Sequence, residues 1–143
     1  TLDIEATAIT DISPLGQMTK LKWLDIGWND GLSDISPLSA LSSLEELHAD
    51  RTSISDISAL TNLENLNWLV LLESPVSDIS PLTDLDNLRW LDLSHTVFTD
   101  VSPLYDLPSL THLDLDNSQV SASDCAILQQ DLSGVDVSCY GLD

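Results

Sequence analysis

ITDISPL at residues 9–15 returns as LSDISPL at 32–38, ISDISAL at 54–60, VSDISPL at 76–82 and FTDVSPL at 98–104. The recurrences are 23, 22, 22 and 22 residues apart. A nearly constant period of that size marks a solenoid of stacked supersecondary units, each burying its apolar edge against its neighbours. Between these phrases runs a second one: LKWLDI at 21–26, LEELHA at 44–49, LNWLVL at 66–71, LRWLDL at 88–93 and LTHLDL at 110–115. Counted from its first leucine, the apolar residues fall at places 1, 4 and 6. That spacing predicts a short strand whose core side chains alternate with outward ones at places 3, 5, 7 and 8. Leu21, Leu24 and Ile26, with their equivalents through Leu110, Leu113 and Leu115, are the expected core.

Each position of the SDISPL phrase has a local task. Its second serine (Ser13, Ser36, Ser58, Ser80, Ser102) is suited to capping a short helical turn, and the following Pro14, Pro37, Pro81 or Pro103 to opening it. Ala59 replaces that proline in the third repeat. The room left favours a 3-10 turn over an α-helix. The column Asp11, Asp34, Asp56, Asp78, Asp100 reads as short carboxylates accepting backbone N–H bonds at a recurring bend, rather than as a metal ladder.

At 143 residues with 43% hydrophobic content, the chain fits one domain with a filled core. Its 24 acidic residues face only Lys20, Lys22, Arg51 and Arg89, a net charge of −20. Phosphate binding needs clustered Lys and Arg, so nucleic acid and anionic membrane surfaces are excluded as partners. Such acidity confers solubility and steers a basic partner. No run of 18 apolar residues is present, so no membrane insertion is expected. The chain opens at place 3 of a coil without a polar end cap, which predicts an excised domain or mature fragment.

The LxxLxL strand followed by ISDISPLxxLxx resembles the leucine-rich repeat, in particular the 22-residue type of bacterial internalin-like surface proteins. The resemblance runs from residue 1 to about residue 120. It implies an α/β solenoid, a leucine-rich repeat right-handed superhelix with a concave parallel β-sheet and convex 3-10 turns. It also implies a non-enzymatic recognition scaffold, extracellular or on a bacterial cell surface; a monomer is expected. Residues 1–120 form the array of about six coils, lacking an N-terminal cap, and 121–143 the C-terminal capping helix and last strand. The family usually carries Asn at place 9, where only Asn29 stands here. Thr7, Thr52, Ser74, Thr96 and Ser118 hold the equivalent places, and a hydroxyl has fewer bonding groups than an amide, so a looser ladder is expected. The extra residue around Asp30-Gly31 predicts a small bulge.

SASDCAILQQDL at 121–132 reads as a helix capped by Ser121 or Ser123, with Asp124 in its first turn. GVDVSCY at 134–140 reads as a final strand with Val135 and Val137 at places 4 and 6. Tyr140–Asp143 is open to continuation into another domain. Cys125 and Cys139 lie 14 residues apart. Two readings stand: a disulfide suited to a secreted protein, closing a loop for about 3 kcal/mol, or a buried Cys125 with an independent Cys139 at place 8. Sequence spacing does not choose between them.

The outward places gather the unusual side chains. Place 3 runs Thr1, Trp23, Glu46, Trp68, Trp90 and His112. Place 5 runs Asp3, Asp25, His48, Val70, Asp92, Asp114 and Asp136. Place 7 includes Gly27, Asp50, Leu72 and Asp116, and place 8 includes Trp28, Arg51, Glu73 and His95. All four tryptophans and all three histidines are thus assigned to one side, around a small apolar centre of Trp68, Val70 and Leu72. One Trp at place 3 can merely shield the sheet. The gathering of all of them marks a binding surface, because Trp is enriched at hot spots and an exposed apolar patch needs a reason.

The expected partner-binding residues are Trp23, Trp28, Glu46, His48, Asp50, Trp68, Val70, Leu72, Trp90, Asp92, His112 and Asp114. The expected partner is a protein of basic or mixed charge. Two alternatives are a glycan or cell-wall binding module, with Trp faces stacked on sugar rings, and a structural spacer within a larger surface protein. Ring orientation separates the first, since sugars need open indole faces. No Gly-rich phosphate loop, GxSxG or HExxH motif is present, so no catalytic residue and no cofactor is expected. Asp92, His95, His112, Asp114 and Asp116 are ligands of the right kind for a metal, but flat sheets rarely converge them, and no metal is expected.

Overall fold

The computed structural model describes residues 1–142; Asp143, the end of the stretch read as open to continuation, lies outside the described residues. Seven short strands, β1 (Leu2–Asp3), β2 (Trp23–Asp25), β3 (Glu46–His48), β4 (Trp68–Val70), β5 (Trp90–Asp92), β6 (His112–Asp114) and β7 (Asp136–Ser138), form one parallel sheet in sequence order. Every neighbouring pair is in register at place 4, Leu24 opposite Leu47, Leu47 opposite Leu69, and Leu69 opposite Leu91. A parallel pair needs a crossover of a dozen or more residues, and each 22-residue coil supplies one. The returning segments carry 3-10 turns at Ser13–Gln17, Ser36–Ala40, Ser58–Leu60, Ser80–Leu82 and Ser102–Asp106. The sheet lines the concave side and these turns the convex side.

One apolar core runs the length of the molecule between sheet and turns. Leucine at places 1, 4 and 6 is buried in every coil from Leu21 to Leu115, with Ile26 and Ala49 filling place 6 of β2 and β3. The isoleucine and leucine of the SDISPL phrase close it from the other side, as do Ile35, Leu38, Ile57, Leu60, Ile79 and Leu82. This agrees with the alternation read from the sequence.

The serine of that phrase does not cap the turn. Each 3-10 turn starts at the serine itself and shows no side-chain cap bond. The acceptor is the aspartate two residues earlier. Asp34, Asp56, Asp78 and Asp100 Oδ1 take the N–H of Ser36, Ser58, Ser80 and Ser102 at 2.8 to 2.9 Å, and Asp11 does the same for Ser13. The N–H two residues after each serine, which a capping hydroxyl would reach, already donates to a carbonyl of the bend, Leu15 to Ile12, Leu38 to Ile35, Leu60 to Ile57, Leu82 to Ile79 and Leu104 to Val101.

At place 9 the hydroxyls make fewer bonds than the amide, but they bond directly. Asn29 accepts from the N–H groups of Thr7 and Ile9 and donates to the carbonyls of Ile4, Ile26 and Gly27, joining two coils. The Thr52 and Ser74 hydroxyls each lie 3.1 Å from the Ala49 carbonyl and from one another, two protons shared among three contacts; Thr96 donates to the Leu93 carbonyl. A hydroxyl three residues after a carbonyl reaches it directly. The extra residue near Gly31 makes a turn after β2, closed by Leu32 N–H to Asn29 O, and leaves the β2–β3 register unbroken rather than bulged. A Cβ at Gly31 would lie 2.8 Å from Thr10 Cγ2, so a side chain there would displace that exposed methyl.

Helix α1 spans Ala122–Asp131, and its N-cap is Ser121, whose hydroxyl accepts the Asp124 N–H. The final strand differs from the expected register. Val137 stands opposite Leu113 at place 4, with Asp136 beside His112 and Ser138 beside Asp114. The ten-residue helix is longer than a 3-10 turn, so the chain re-enters the sheet two residues later. A slip of two keeps each side chain on its original face, which is why the alternation alone did not exclude it. Cys139 moves from place 8 to the inward place 6 and is joined to Cys125 of α1 in a disulfide with a Cα–Cα distance of 6.4 Å.

Candidate functional site

Place 3 becomes a ladder of rings because parallel strands in register set equivalent side chains one strand spacing apart, ~4.8 Å. Trp68 and Trp90 are register partners, and their rings lie 4.3 Å apart at an interplanar angle of 4°. His112 stacks on the far side of Trp90 at 4.4 Å and 22°. His48, one strand before Trp68 at place 5, reaches across to stand 6.4 Å from Trp68 and 5.6 Å from Trp23. Glu46 occupies place 3 of β3, and His48 bridges over that gap. Five rings from β2 to β6 therefore run unbroken along the sheet: Trp23, His48, Trp68, Trp90 and His112.

Stacking half-buries the three indoles. The Trp68 Nε1–H is the one fully buried side-chain polar atom among the described residues without a hydrogen-bond partner. Beside the ladder, Val70 and Leu72 are half-buried at places 5 and 7, giving the apolar centre read from the sequence.

Trp28 is placed differently from the other tryptophans. Place 8 is where the backbone leaves the strand in a left-handed conformation, at Ala6, Trp28, Arg51, Glu73, His95 and Asn117, with φ between 51° and 57°. Non-glycine residues rarely adopt this conformation. Here the bent backbone lets each of these N–H groups bond the next coil: Trp28 to Asp50 O, Arg51 to Leu72 O, Glu73 to Ser94 O, and His95 to Asp116 O. The bend carries Trp28 to the rim, 48% exposed, where the Arg51 guanidinium covers its ring at 4.0 Å. Arg51 in turn pairs with Glu73 at 2.8 Å. The rim is thus a cation–π and ion-pair row beside the ladder, and Trp28 is not one of its rungs.

Acids flank the apolar centre on both sides. Toward β1, the carboxylates of Asp25 and Asp50 close over the buried Gly27. A Cβ at Gly27 would meet Asp50 Oδ1 at 2.7 Å and Asp25 Oδ1 at 3.2 Å. Burial raises the Asp50 carboxyl above its ordinary range, and Asp25 adds repulsion. Toward β7, Asp92 is likewise raised, first by burial and then by Asp114 and Asp116, against the opposing bond from the Ser94 N–H. Among the described residues two ion pairs form, Lys22 to Glu45 and Arg51 to Glu73; neither includes Asp25, Asp50, Asp92 or Asp114.

The metal candidates separate in the same way. Among the described residues the only set able to bring three ligand atoms within 4.8 Å is Asp3, Glu5 and Asp25, solvent-facing acids at the β1 end that the sequence reading did not single out. The set around Asp92, His95, His112, Asp114 and Asp116 does not converge. His95 lies beside Asn117, His112 beside Thr111, and Asp116 accepts from Ser138 and from the Tyr140 N–H.

A family model for leucine-rich repeats, two copies, matches residues 86–129. An internalin C2 of Listeria monocytogenes superposes with a TM-score of 0.80 at 31% identity, over 94% of this chain and 61% of that one. This chain is an internalin-like leucine-rich repeat protein. A second Listeria monocytogenes internalin (inlF) superposes with a TM-score of 0.73 at 26% identity, over 93% of this chain and 46% of that one. A leucine-rich repeat protein of Leptospira interrogans shares the fold, with a TM-score of 0.58 at 20% identity, over 85% of this chain and 44% of that one. The internalin-like chain thus spans less than two thirds of each of these structures. No curated protein matches it by sequence.

Proposed function

We propose that this internalin-like chain is a recognition module that docks a protein of basic or mixed charge on its concave face, in an extracellular or bacterial cell-surface setting. The carrying observation is the stacked ladder of three indoles and two imidazoles beside Val70 and Leu72, bordered by unpaired carboxylates. A rigid aromatic row loses little conformational entropy on binding, and an apolar centre with a polar rim is the usual anatomy of a protein interface. Trp68, Trp90 and Val70 are the anchors, Trp23, His48, Leu72 and His112 extend the row, and Glu46, Asp50, Asp92 and Asp114 steer. Trp28 contributes from the rim.

The stacking weighs against the glycan reading. A sugar ring needs an open indole face, whereas Trp68 and Trp90 cover one another, His112 covers the far face of Trp90, and Arg51 covers Trp28. The test is affinity capture with the intact protein, the Trp68→Ala/Trp90→Ala variant and the Val70→Lys variant. The last places a long flexible cation on the apolar centre while leaving the ladder in place. A partner held by the intact protein and lost by both variants, each with an unchanged circular dichroism spectrum, supports the reading. Equal capture by all three rejects it.

A further inference from the structure

We infer that the partner segment is an extended strand presenting basic, apolar and basic side chains at positions i, i+2 and i+4, laid across the strands of the concave sheet. The inference rests on the docking reading and specifies its chemistry. Three observations in one row carry it.

The apolar centre sits at β4, on Val70 and Leu72 beside Trp68. On one side, between β2 and the third coil, the carboxylates of Asp25 and Asp50 close over the buried Gly27, whose missing side chain lets them approach. On the other side, at β5 and β6, Asp92 and Asp114 are register partners. Both carboxylate groups lie about one and a half strands from the apolar centre. The two are therefore separated by about three inter-strand steps, roughly 14 Å. An extended chain rises about 3.3 Å per residue and turns every second side chain to one face, so i and i+4 stand about 13 Å apart with i+2 between them. The spacings coincide.

The charge state favours the same occupant. Asp50 and Asp92, one on each side, are partly desolvated and stand beside like charges; His48 and Arg51 offset part of this at Asp50, and among the described residues neither carboxylate has an ion pair. A guanidinium or ammonium from outside would relieve that repulsion at both ends. The half-buried apolar patch between them takes an aliphatic side chain, for which neither flanking group competes.

The probe is a cyclised β-hairpin peptide carrying Arg-Thr-Ile-Thr-Arg on its exposed strand, titrated into the full chain by calorimetry and tryptophan fluorescence. Two control hairpins carry Glu-Thr-Ile-Thr-Glu and the shuffled Arg-Arg-Thr-Thr-Ile. Saturable binding of the first is expected, weakened about threefold to tenfold by Asp50→Asn, which removes the charge on the β3 side, and by the same factor by Asp92→Asn. The combined variant should lose both factors, and both control hairpins should bind more weakly than the probe. Equal binding of the shuffled hairpin would show charge attraction without spacing and overturn the inference, as would no saturable signal at millimolar probe. Indifference to Asp50→Asn and Asp92→Asn, with binding still lost in Val70→Lys, removes the two-cation inference and leaves concave docking intact. Binding retained in all of these variants removes both.

Discussion

Asn29 shows how much one side chain can carry in a stacked array. Its amide makes five backbone bonds spanning two coils, while the hydroxyls at the same place in later coils make one or two each. Removing the amide leaves buried or partly buried carbonyls and N–H groups without partners, and an unpaired buried polar group costs about 1–3 kcal/mol. Asn29→Ala should therefore lower unfolding stability by about 3 kcal/mol or more, and Thr52→Ala by about 1 kcal/mol, both read from urea unfolding midpoints. Equal effects would mean that the amide is no better a staple than the hydroxyl. The sequence made Asn29 conspicuous by its rarity. It did not show that the hydroxyls bond directly, because that depends on the exact return of the chain three residues after each strand carbonyl.

At the scale of the element, the Asp–Ser bend and the disulfide-linked cap each have a measurable consequence. Backbone N–H groups hold Asp34, Asp56, Asp78 and Asp100 below the ordinary carboxylate range, and the Ser13 hydroxyl and N–H do so for Asp11. A depressed folded value means that the stability from these bonds is fully present above about pH 4 and lost as the pH falls through the lower folded values. Asp50 and Asp92 are raised, so they act in the opposite sense and add stability as the pH falls through their folded values. The melting temperature should accordingly be higher near pH 5 than near pH 8, and fall steeply below about pH 4. A profile that declines steadily from pH 8 downward would contradict this assignment.

In the cap, α1 buries only Cys125 and Leu128, so the disulfide to Cys139 is a large share of its attachment. Reduction should weaken the cap by about 3 kcal/mol. Hydrogen exchange locates the effect: the Leu115 and Asn117 amides, which donate to Ser138 and Tyr140 carbonyls, should lose protection, while the Leu71 amide bonded to Asp92 should keep it. Uniform loss along the array would instead make the solenoid one cooperative unit.

The whole molecule is an acidic arc of charge −20, and two of its four Lys and Arg side chains, Lys22 and Arg51, are engaged in ion pairs. Association with a basic partner on the concave face should slow as ionic strength rises, since exposed charges are screened over about 10 Å at 0.1 M salt. A spacer that stacks end to end through apolar coil edges should hold or strengthen its association under the same conditions. Measuring association rates from low to high salt, with and without Trp68→Ala/Trp90→Ala, separates the two. Salt-insensitive association that survives loss of both indoles would favour the spacer.

The period, the strand places and the buried leucines were all determined by sequence, because a repeat that recurs every 22 residues forces equivalent residues into columns whatever the details of the turn. The columns also assigned Trp23, Trp68, Trp90 and His112 to one row before any coordinates existed. What the tertiary structure decided lies wherever two coils or two backbone geometries had to meet. The histidine at place 5 of β3 leans across to continue the ladder past Glu46, the left-handed bend at place 8 takes Trp28 out to the rim, and the longer last coil moves Val137 to place 4 and Cys139 inward. Each is consistent with the same alternation of apolar and polar residues. Alternation fixes which face a side chain takes, whereas ring stacking, rim bends and strand register are set by the contacts between coils.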